Sequence, residues 1–129
     1  MPRLDLIGIA VHDMAASLAF YRLLGLEVPE SADAEDHVEA TLPGGLRIAW
    51  DGVEMIKSFD PDWMEPAGSP RIGLAFLCDS PADVDERHAE LVAAGYESHK
   101  DPWDAFWGQR YAQVNDPDGN VVDLFAPLG

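Results

Sequence analysis

The chain has 129 residues, of which 47% are hydrophobic, and it carries a formal net charge of −16. This length predicts one domain, since ~100–200 residues per domain is usual, and the composition predicts a folded core rather than disorder. The negative charge excludes nucleic acid and anionic membrane surfaces as expected partners, because binding phosphate requires clustered Lys and Arg.

The sequence favours a cytoplasmic location. The N-terminal segment lacks the basic stretch and long apolar run of a signal peptide, and no run of ~18 apolar residues could cross a membrane. The single cysteine, Cys78, permits neither an intrachain disulfide nor a cysteine-based zinc cluster. We interpret the acidic surface mainly as solubilising, with attraction of a cationic ligand as the alternative.

The predicted elements occur in two copies. A short apolar run from Leu6 to Val11 has a counterpart from Ile72 to Leu77. Each run is followed by a helical pattern that ends at a glycine, Gly25 in the first copy and Gly95 in the second. Asp13 is placed to cap the first helix. The repetition predicts two equivalent strand–helix units.

Three strand-like segments follow each predicted helix. They lie at 26–29, 38–42 and 46–50 in the first copy and at 96–100, 110–115 and 120–125 in the second. The prediction is therefore an α+β fold of two tandem βαβββ modules, 1–50 and 71–129. A connector rich in Pro and Asp, 51–70, joins them within a single domain, 1–129. Each module is expected to curve a mixed sheet around a cleft.

The most informative segment is Asp116-Pro-Asp-Gly-Asn-Val-Val-Asp-Leu-Phe125. It predicts a tight turn followed by a strand. Asp123 is a carboxylate on an otherwise apolar strand, so it is either a site residue or a tolerated edge charge. It could accept a hydrogen bond from a ligand, or it could pair with Arg110 or Arg47 across the sheet. The sequence leaves both alternatives open.

Large aromatic side chains concentrate in one predicted loop. Trp103, Phe106 and Trp107 fall within five residues, and Tyr111 lies on the strand that follows. Loops seldom contain so many rings unless the rings are buried or bind something. Flat rings suit a planar ligand, because stacked aromatics contribute ~0.5–1.5 kcal/mol beyond area burial. A dimer interface or a small satellite core is the alternative.

Two segments resemble the vicinal oxygen chelate superfamily, which includes glyoxalase I, extradiol dioxygenases and the fosfomycin- and bleomycin-resistance proteins. They are Asp13-Met-Ala-Ala-Ser-Leu-Ala-Phe-Tyr-Arg-Leu-Leu-Gly25 and Asp116-Pro-Asp-Gly-Asn-Val-Val-Asp123, and they bracket nearly the whole chain. Residues 103–116 look like the bleomycin-resistance type and are most similar to mitomycin-binding resistance proteins. The resemblance implies the glyoxalase/bleomycin-resistance fold and a homodimer whose cleft is shared between chains.

The resemblance also implies where a metal would be held. Enzymes of the superfamily hold a divalent metal with four ligands, typically His and Glu, one from each of four strands. Matched by position, two of these ligands fall on Leu6 and Ile72, which cannot bind a metal. The predicted strand 46–50 contains no carboxylate, imidazole or thiolate, so only Asp123 matches a family ligand. One ligand does not make a catalytic metal site, and we expect neither a metal nor a cofactor.

The predicted function is non-catalytic binding and sequestration of a small aromatic or quinone-like natural product, as in antibiotic resistance of the mitomycin or bleomycin type. The predicted ligand-binding residues are Trp107, Trp103, Trp50, Tyr111, Phe59, Phe106, Asp123, Gln113 and Arg47. The alternative is a metal-dependent lyase, isomerase or dioxygenase of the same superfamily, with an atypical site that recruits His37 and Glu39 alongside Asp123. A third interpretation is an accessory or regulatory domain whose aromatic loop binds a metabolite or a partner protein.

Overall fold

The computed structural model describes all 129 residues and divides them into two compact units, Met1–Glu65 and Pro66–Gly129. The first unit contains β1 (Leu6–Val11), α1 (Met14–Leu23), a 3-10 helix (Glu30–Ala34), β2 (His37–Thr41), β3 (Arg47–Gly52) and α2 (Val53–Phe59). The second contains β4 (Leu74–Leu77), α3 (Pro81–Ala93), β5 (Ser98–Ala105), β6 (Gln109–Asn115) and β7 (Val121–Pro127). The predicted α+β class is confirmed, with two mixed sheets.

The first unit is built on a three-stranded sheet of order β1-β3-β2. β1 runs parallel to β3, and β2 runs antiparallel to it. Alternation along the strands places Ile9, Val38, Ile48 and Trp50 on one face, where all four side chains are buried. The other face of β1 carries small residues such as Gly8 and is left open.

Helix α1 covers the apolar face of this sheet. The Asp13 side chain caps it by accepting the Ala16 N–H at 3.1 Å, as expected from the sequence. Leu18 and Tyr21 are fully buried at helical spacing. The chain leaves the helix at Gly25, whose φ of +91° is accessible to glycine at little cost.

The second unit has a four-stranded sheet of order β4-β7-β6-β5. Helix α3 begins at Pro81, after Ser80 caps it by accepting the Asp83 N–H at 3.1 Å. Its apolar stripe, which includes Leu91, packs on the face of the sheet that carries Leu124, and both side chains are 1% exposed. No helix in either unit is long and apolar enough to span a bilayer.

Two details of the first unit differ from the prediction. No strand forms at 26–29, so only two strands follow α1. The Arg22 guanidinium donates hydrogen bonds to the backbone carbonyl oxygens of Val28 and Pro29, each at 2.8 Å. These carbonyl oxygens therefore make no hydrogen bond to a neighbouring strand. The predicted connector is also partly structured, because β3 continues to Gly52 and α2 follows directly.

Candidate functional site

The open face of the second sheet carries an aromatic cluster. Tyr111 on β6 lies opposite Trp103 on β5 and Phe125 on β7. The Tyr111 and Phe125 rings stack with centroids 6.1 Å apart and an interplanar angle of 28°. Trp103 and Trp107 meet the Tyr111 ring edge-on, at centroid distances of 5.7 and 5.3 Å. These four residues, Trp103, Trp107, Tyr111 and Phe125, form what we call the aromatic face.

Trp107 is positioned by the tight turn between β5 and β6. The Gly108 N–H donates to the Ala105 carbonyl at 3.0 Å, and Gly108 has a φ of +89°, which favours glycine. The Trp107 indole N–H donates to Gln109 Oε1 at 2.8 Å. The Trp107 side chain is half-exposed, whereas Phe106 is 98% exposed. The turn thus presents two rings to solvent while fixing the orientation of one of them.

Asp123 lies beside the aromatic face and has neutral partners. The Tyr111 hydroxyl donates to Asp123 Oδ2 at 2.5 Å, and Gln113 Nε2 donates to Oδ1 at 2.9 Å. Burial, together with the hydrogen bond to Asp123, raises the pKa of Tyr111 to about 12. The expected alternative, pairing of Asp123 with Arg110 or Arg47, is wrong, because both guanidiniums bind other carboxylates.

An open pocket of about 270 Å³ adjoins Asp123 on the same sheet. Its apolar lining includes Ile72 and Val121. Its polar lining consists of Ser69, Arg71, His99, Gln113 and Asp123. The pocket therefore combines hydrogen-bond donors and acceptors within one unit of the chain.

The remaining predicted site residues belong to the first unit. Trp50 is fully buried and packs against Tyr21, with ring centroids 5.6 Å apart. The prediction of an accessible Trp50 wall is therefore wrong, since the residue faces α1 on the core side of its strand. Phe59 is 71% exposed at the end of α2. Arg47 donates to Glu39 at 2.6 Å and to Asp5 at 2.7 Å, so its charge already has two partners.

The first sheet carries a charged cluster on its open face. His37 bonds through Nδ1 to Asp51 and through Nε2 to Glu39, the latter at 2.7 Å. The hydrogen bonds to Asp51 and Glu39 raise the pKa of His37 above its ordinary value. The hydrogen bond from His37, together with one from Arg47, lowers the pKa of Glu39. Both ring nitrogens of His37 are thus engaged by carboxylates.

The strand β3 is longer than predicted and includes the carboxylate of Asp51. The predicted strand ended at Trp50 and contained no carboxylate, but β3 continues through Asp51 to Gly52. Alternation from Arg47 would have placed Asp51 on the open face had the strand been drawn two residues longer.

The structure contains no group of three or more His, Cys, Asp or Glu side chains that could hold a metal ion.

The Lys100 cation beside the aromatic face and the Phe125 ring within it were not predicted from the sequence. Trp103 lies on β5 rather than in a loop, because that strand extends to Ala105. This extension places the Lys100 ammonium 4.8 Å from the centroid of the Trp103 ring, a distance at which a cation is attracted to the ring. Phe125 follows from simple alternation with Asp123 along β7, although it was not counted among the site residues.

The sequence of the chain matches a known protein superfamily over nearly its whole length. The profile of the Glyoxalase/Bleomycin resistance protein/Dioxygenase superfamily matches residues 3–124. The chain belongs to this superfamily, and the resemblance stated from the sequence is confirmed. No curated protein matches the chain in sequence.

Solved structures show the same fold. A glyoxalase/bleomycin resistance protein/dioxygenase family enzyme from Burkholderia phytofirmans PsJN is similar at 24% identity and a TM-score of 0.84, over 98% of this chain and 100% of that one. A glyoxalase/bleomycin resistance protein/dioxygenase from Nocardioides is similar at 25% identity and 0.73, over 99% and 85%. Lactoylglutathione lyase from Agrobacterium tumefaciens is similar at 20% identity and 0.65, over 96% and 92%. At these identities the likeness concerns the fold.

Proposed function

We propose that this protein binds and sequesters a small, planar, aromatic or quinone-like natural product without transforming it. The observation that carries the proposal is the aromatic face beside Asp123. Its rings are held on a sheet in mutual contact, so little ordering is needed when a flat ligand binds. Antibiotics of the mitomycin or bleomycin type have this chemistry, and binding alone would protect a cell by lowering the free drug concentration.

The polar groups beside the rings would set the ligand's orientation. Asp123 has lone pairs beyond those used by Tyr111 and Gln113, because an ionised carboxylate offers about four acceptor sites. It would accept a hydrogen bond from a ligand hydroxyl or amine. A mostly apolar surface with a few placed polar groups is the usual composition of a small-molecule site.

A homodimer that shares its cleft belongs to the same proposal. The supporting observation is exposed apolar surface in the second unit, including Leu77 at 67% and Phe106 at 98%. A second chain would cover such side chains and enclose a ligand on the aromatic face.

The enzymatic alternative recruits His37 and Glu39 alongside Asp123, and in the first unit His37 is bonded to Glu39 and Asp51. Binding a metal there would require His37 to exchange a carboxylate partner for the ion, since both of its ring nitrogens are engaged. Ligands must be deprotonated to bind a metal, and the raised pKa of His37 opposes this. We therefore favour sequestration.

Tryptophan fluorescence provides the test. The purified protein, with its metal content measured, is titrated with mitomycin C, bleomycin and a quinoxaline-type peptide, with correction for ligand absorbance. Saturable quenching that is lost in Trp107→Ala and retained in Trp63→Ala supports the proposal; Trp63 lies in the first unit near Lys57 and is the matched control. Absence of quenching by all three compounds, with one divalent ion retained per chain, contradicts it.

A further inference from the structure

Arg71 is an unpaired cation in a strongly acidic chain. The sequence contains 24 acidic and 8 basic residues, so a carboxylate partner is easy to find. Four of the arginines do pair with carboxylates, namely Arg22, Arg47, Arg87 and Arg110. Arg71 makes no ion pair and instead lines the pocket beside Asp123.

His99 lines the same pocket and also has no partner among side chains. An imidazole presents at least one N–H donor in either protonation state, and a guanidinium presents five N–H donors in a planar fork. Arg71 and His99 thus both add N–H donors to the lining of the pocket.

Asp123, which lines the same pocket, already has hydrogen-bond partners within the protein. Each oxygen of Asp123 accepts one hydrogen bond, from Tyr111 or from Gln113. Its donors are therefore neutral groups that belong to the protein. Asp123 keeps lone pairs for a ligand donor, whereas the donors of Arg71 and His99 call for an acceptor, best a planar oxyanion that can bind a guanidinium at two points.

We propose that the ligand of this site carries a carboxylate or comparable oxyanion, which Arg71 binds with His99 while the planar body lies on the aromatic face. This inference rests on the proposed function, because it assigns the charge of the ligand that the aromatic face receives. It departs from the alternative that the net charge suggested, which was attraction of a cationic ligand.

The selectivity has a physical basis. An ion pair between an exposed arginine and a small anion is weak in water, but a bidentate pair beside apolar walls is stronger because water is partly excluded. A neutral amide of the same shape offers the guanidinium only one acceptor oxygen. Arg71 would thus discriminate between a carboxylate and its amide rather than supply most of the affinity.

A pair of matched probes tests the inference: anthraquinone-2-carboxylate and anthraquinone-2-carboxamide, which share a flat ring system and differ in charge. Dissociation constants are measured by calorimetry at low ionic strength for the wild type, Arg71→Gln and Arg3→Gln. Arg3→Gln removes one positive charge, as Arg71→Gln does. Arg3 makes no ion pair, is exposed and lies in the other unit, so its substitution serves as the control. Both arginines are exposed, and substitution at such positions seldom affects folding.

The wild type should bind the carboxylate more tightly than the amide. Arg71→Gln should weaken carboxylate binding about tenfold, which corresponds to about 1.4 kcal/mol, and leave amide binding unchanged. Arg3→Gln should change neither. Equal binding of the two probes, lost for both in Trp107→Ala, would overturn the role of Arg71 while leaving the aromatic site intact. Failure of both probes to bind the wild type would overturn both proposals.

Discussion

The Tyr111 hydroxyl donates a hydrogen bond to Asp123 from the neighbouring strand, while the Tyr111 ring stacks on Phe125. One side chain thus joins the polar and aromatic parts of the candidate site. Tyr111 and Asp123 are diagonal neighbours, since Tyr111 faces Phe125 and Gln113 faces Asp123 in the register of β6 and β7. This diagonal contact fixes the Asp123 carboxylate beside the rings.

The phenol of Tyr111 should titrate unusually late. Its pKa is raised from 10.0 to about 12, so the folded state retains a proton that the unfolded state loses. The corresponding stability is present below pH 10 and is lost as the pH rises through about 12. Absorbance of tyrosinate in the wild type minus that in Tyr111→Phe should reveal a midpoint near 12. A difference curve centred at 10 would contradict the buried hydrogen bond.

His37 should titrate above its ordinary pKa of 6.5, because hydrogen bonds to Asp51 and Glu39 favour the imidazolium. The folded-state pKa is raised, so the stabilisation is fully present below pH 6.5 and is lost as the pH rises through the folded-state value. Arg47 also donates to Glu39, one of these two carboxylates, and opposes this effect in part. NMR titration of the His37 ring measures the midpoint directly. Asp51→Asn should lower the midpoint, and a wild-type value below 6.5 would show that the cluster does not form.

Trp50→Ala should strongly destabilise the protein. Trp50 is fully buried against Tyr21, and removal of such a side chain typically costs ~3–5 kcal/mol of the free energy of unfolding. Trp107→Ala is the matched comparison, since Trp107 is half-exposed and should cost far less. Urea denaturation measures both changes. Comparable losses in the two variants would refute the assignment of Trp50 to the core.

Asp116 should stabilise the turn before β7. It is 4% exposed, and its carboxylate accepts the backbone N–H groups of Asp118 and Asn120 together with the Asn120 side chain, all at 2.9 Å. Asp116→Ala leaves these buried donors without an acceptor, so a loss of ~1–3 kcal/mol in unfolding free energy is expected. Asp62→Ala, at an exposed position, should change little. An Asp116 effect as small as that of Asp62 would show that the turn holds without the carboxylate.

Local patterns in the sequence predicted much of this fold. Asp13 caps its helix as expected, because capping depends on a side chain and a backbone amide a few residues apart. Alternation groups Asp123 with Phe125 on one face of β7, and the structure places both beside Tyr111. The superfamily signatures, which span both units, then identified the fold.

The predictions that failed depended on side-chain contacts and packing that strand alternation does not encode. The segment at 26–29 is extended in pattern, but the Arg22 side chain binds its carbonyl oxygens and no strand forms. Trp50 was assigned to the wrong face, since alternation gives two faces without saying which one packs against a helix. Asp123 has neutral hydrogen-bond partners, because Arg110 forms its ion pairs with Asp85 and Asp104.

The central claim is that the aromatic face binds a planar ligand without changing it. The most direct measurement is to mix the protein with mitomycin C at equal concentrations, determine stoichiometry and affinity by calorimetry with and without EDTA, and recover the compound for mass spectrometry. The account predicts saturable binding that is insensitive to EDTA, is lost in Trp107→Ala, and returns the compound unchanged. Conversion of the compound to a product, abolished by EDTA, would show instead that the protein is a metal-dependent enzyme.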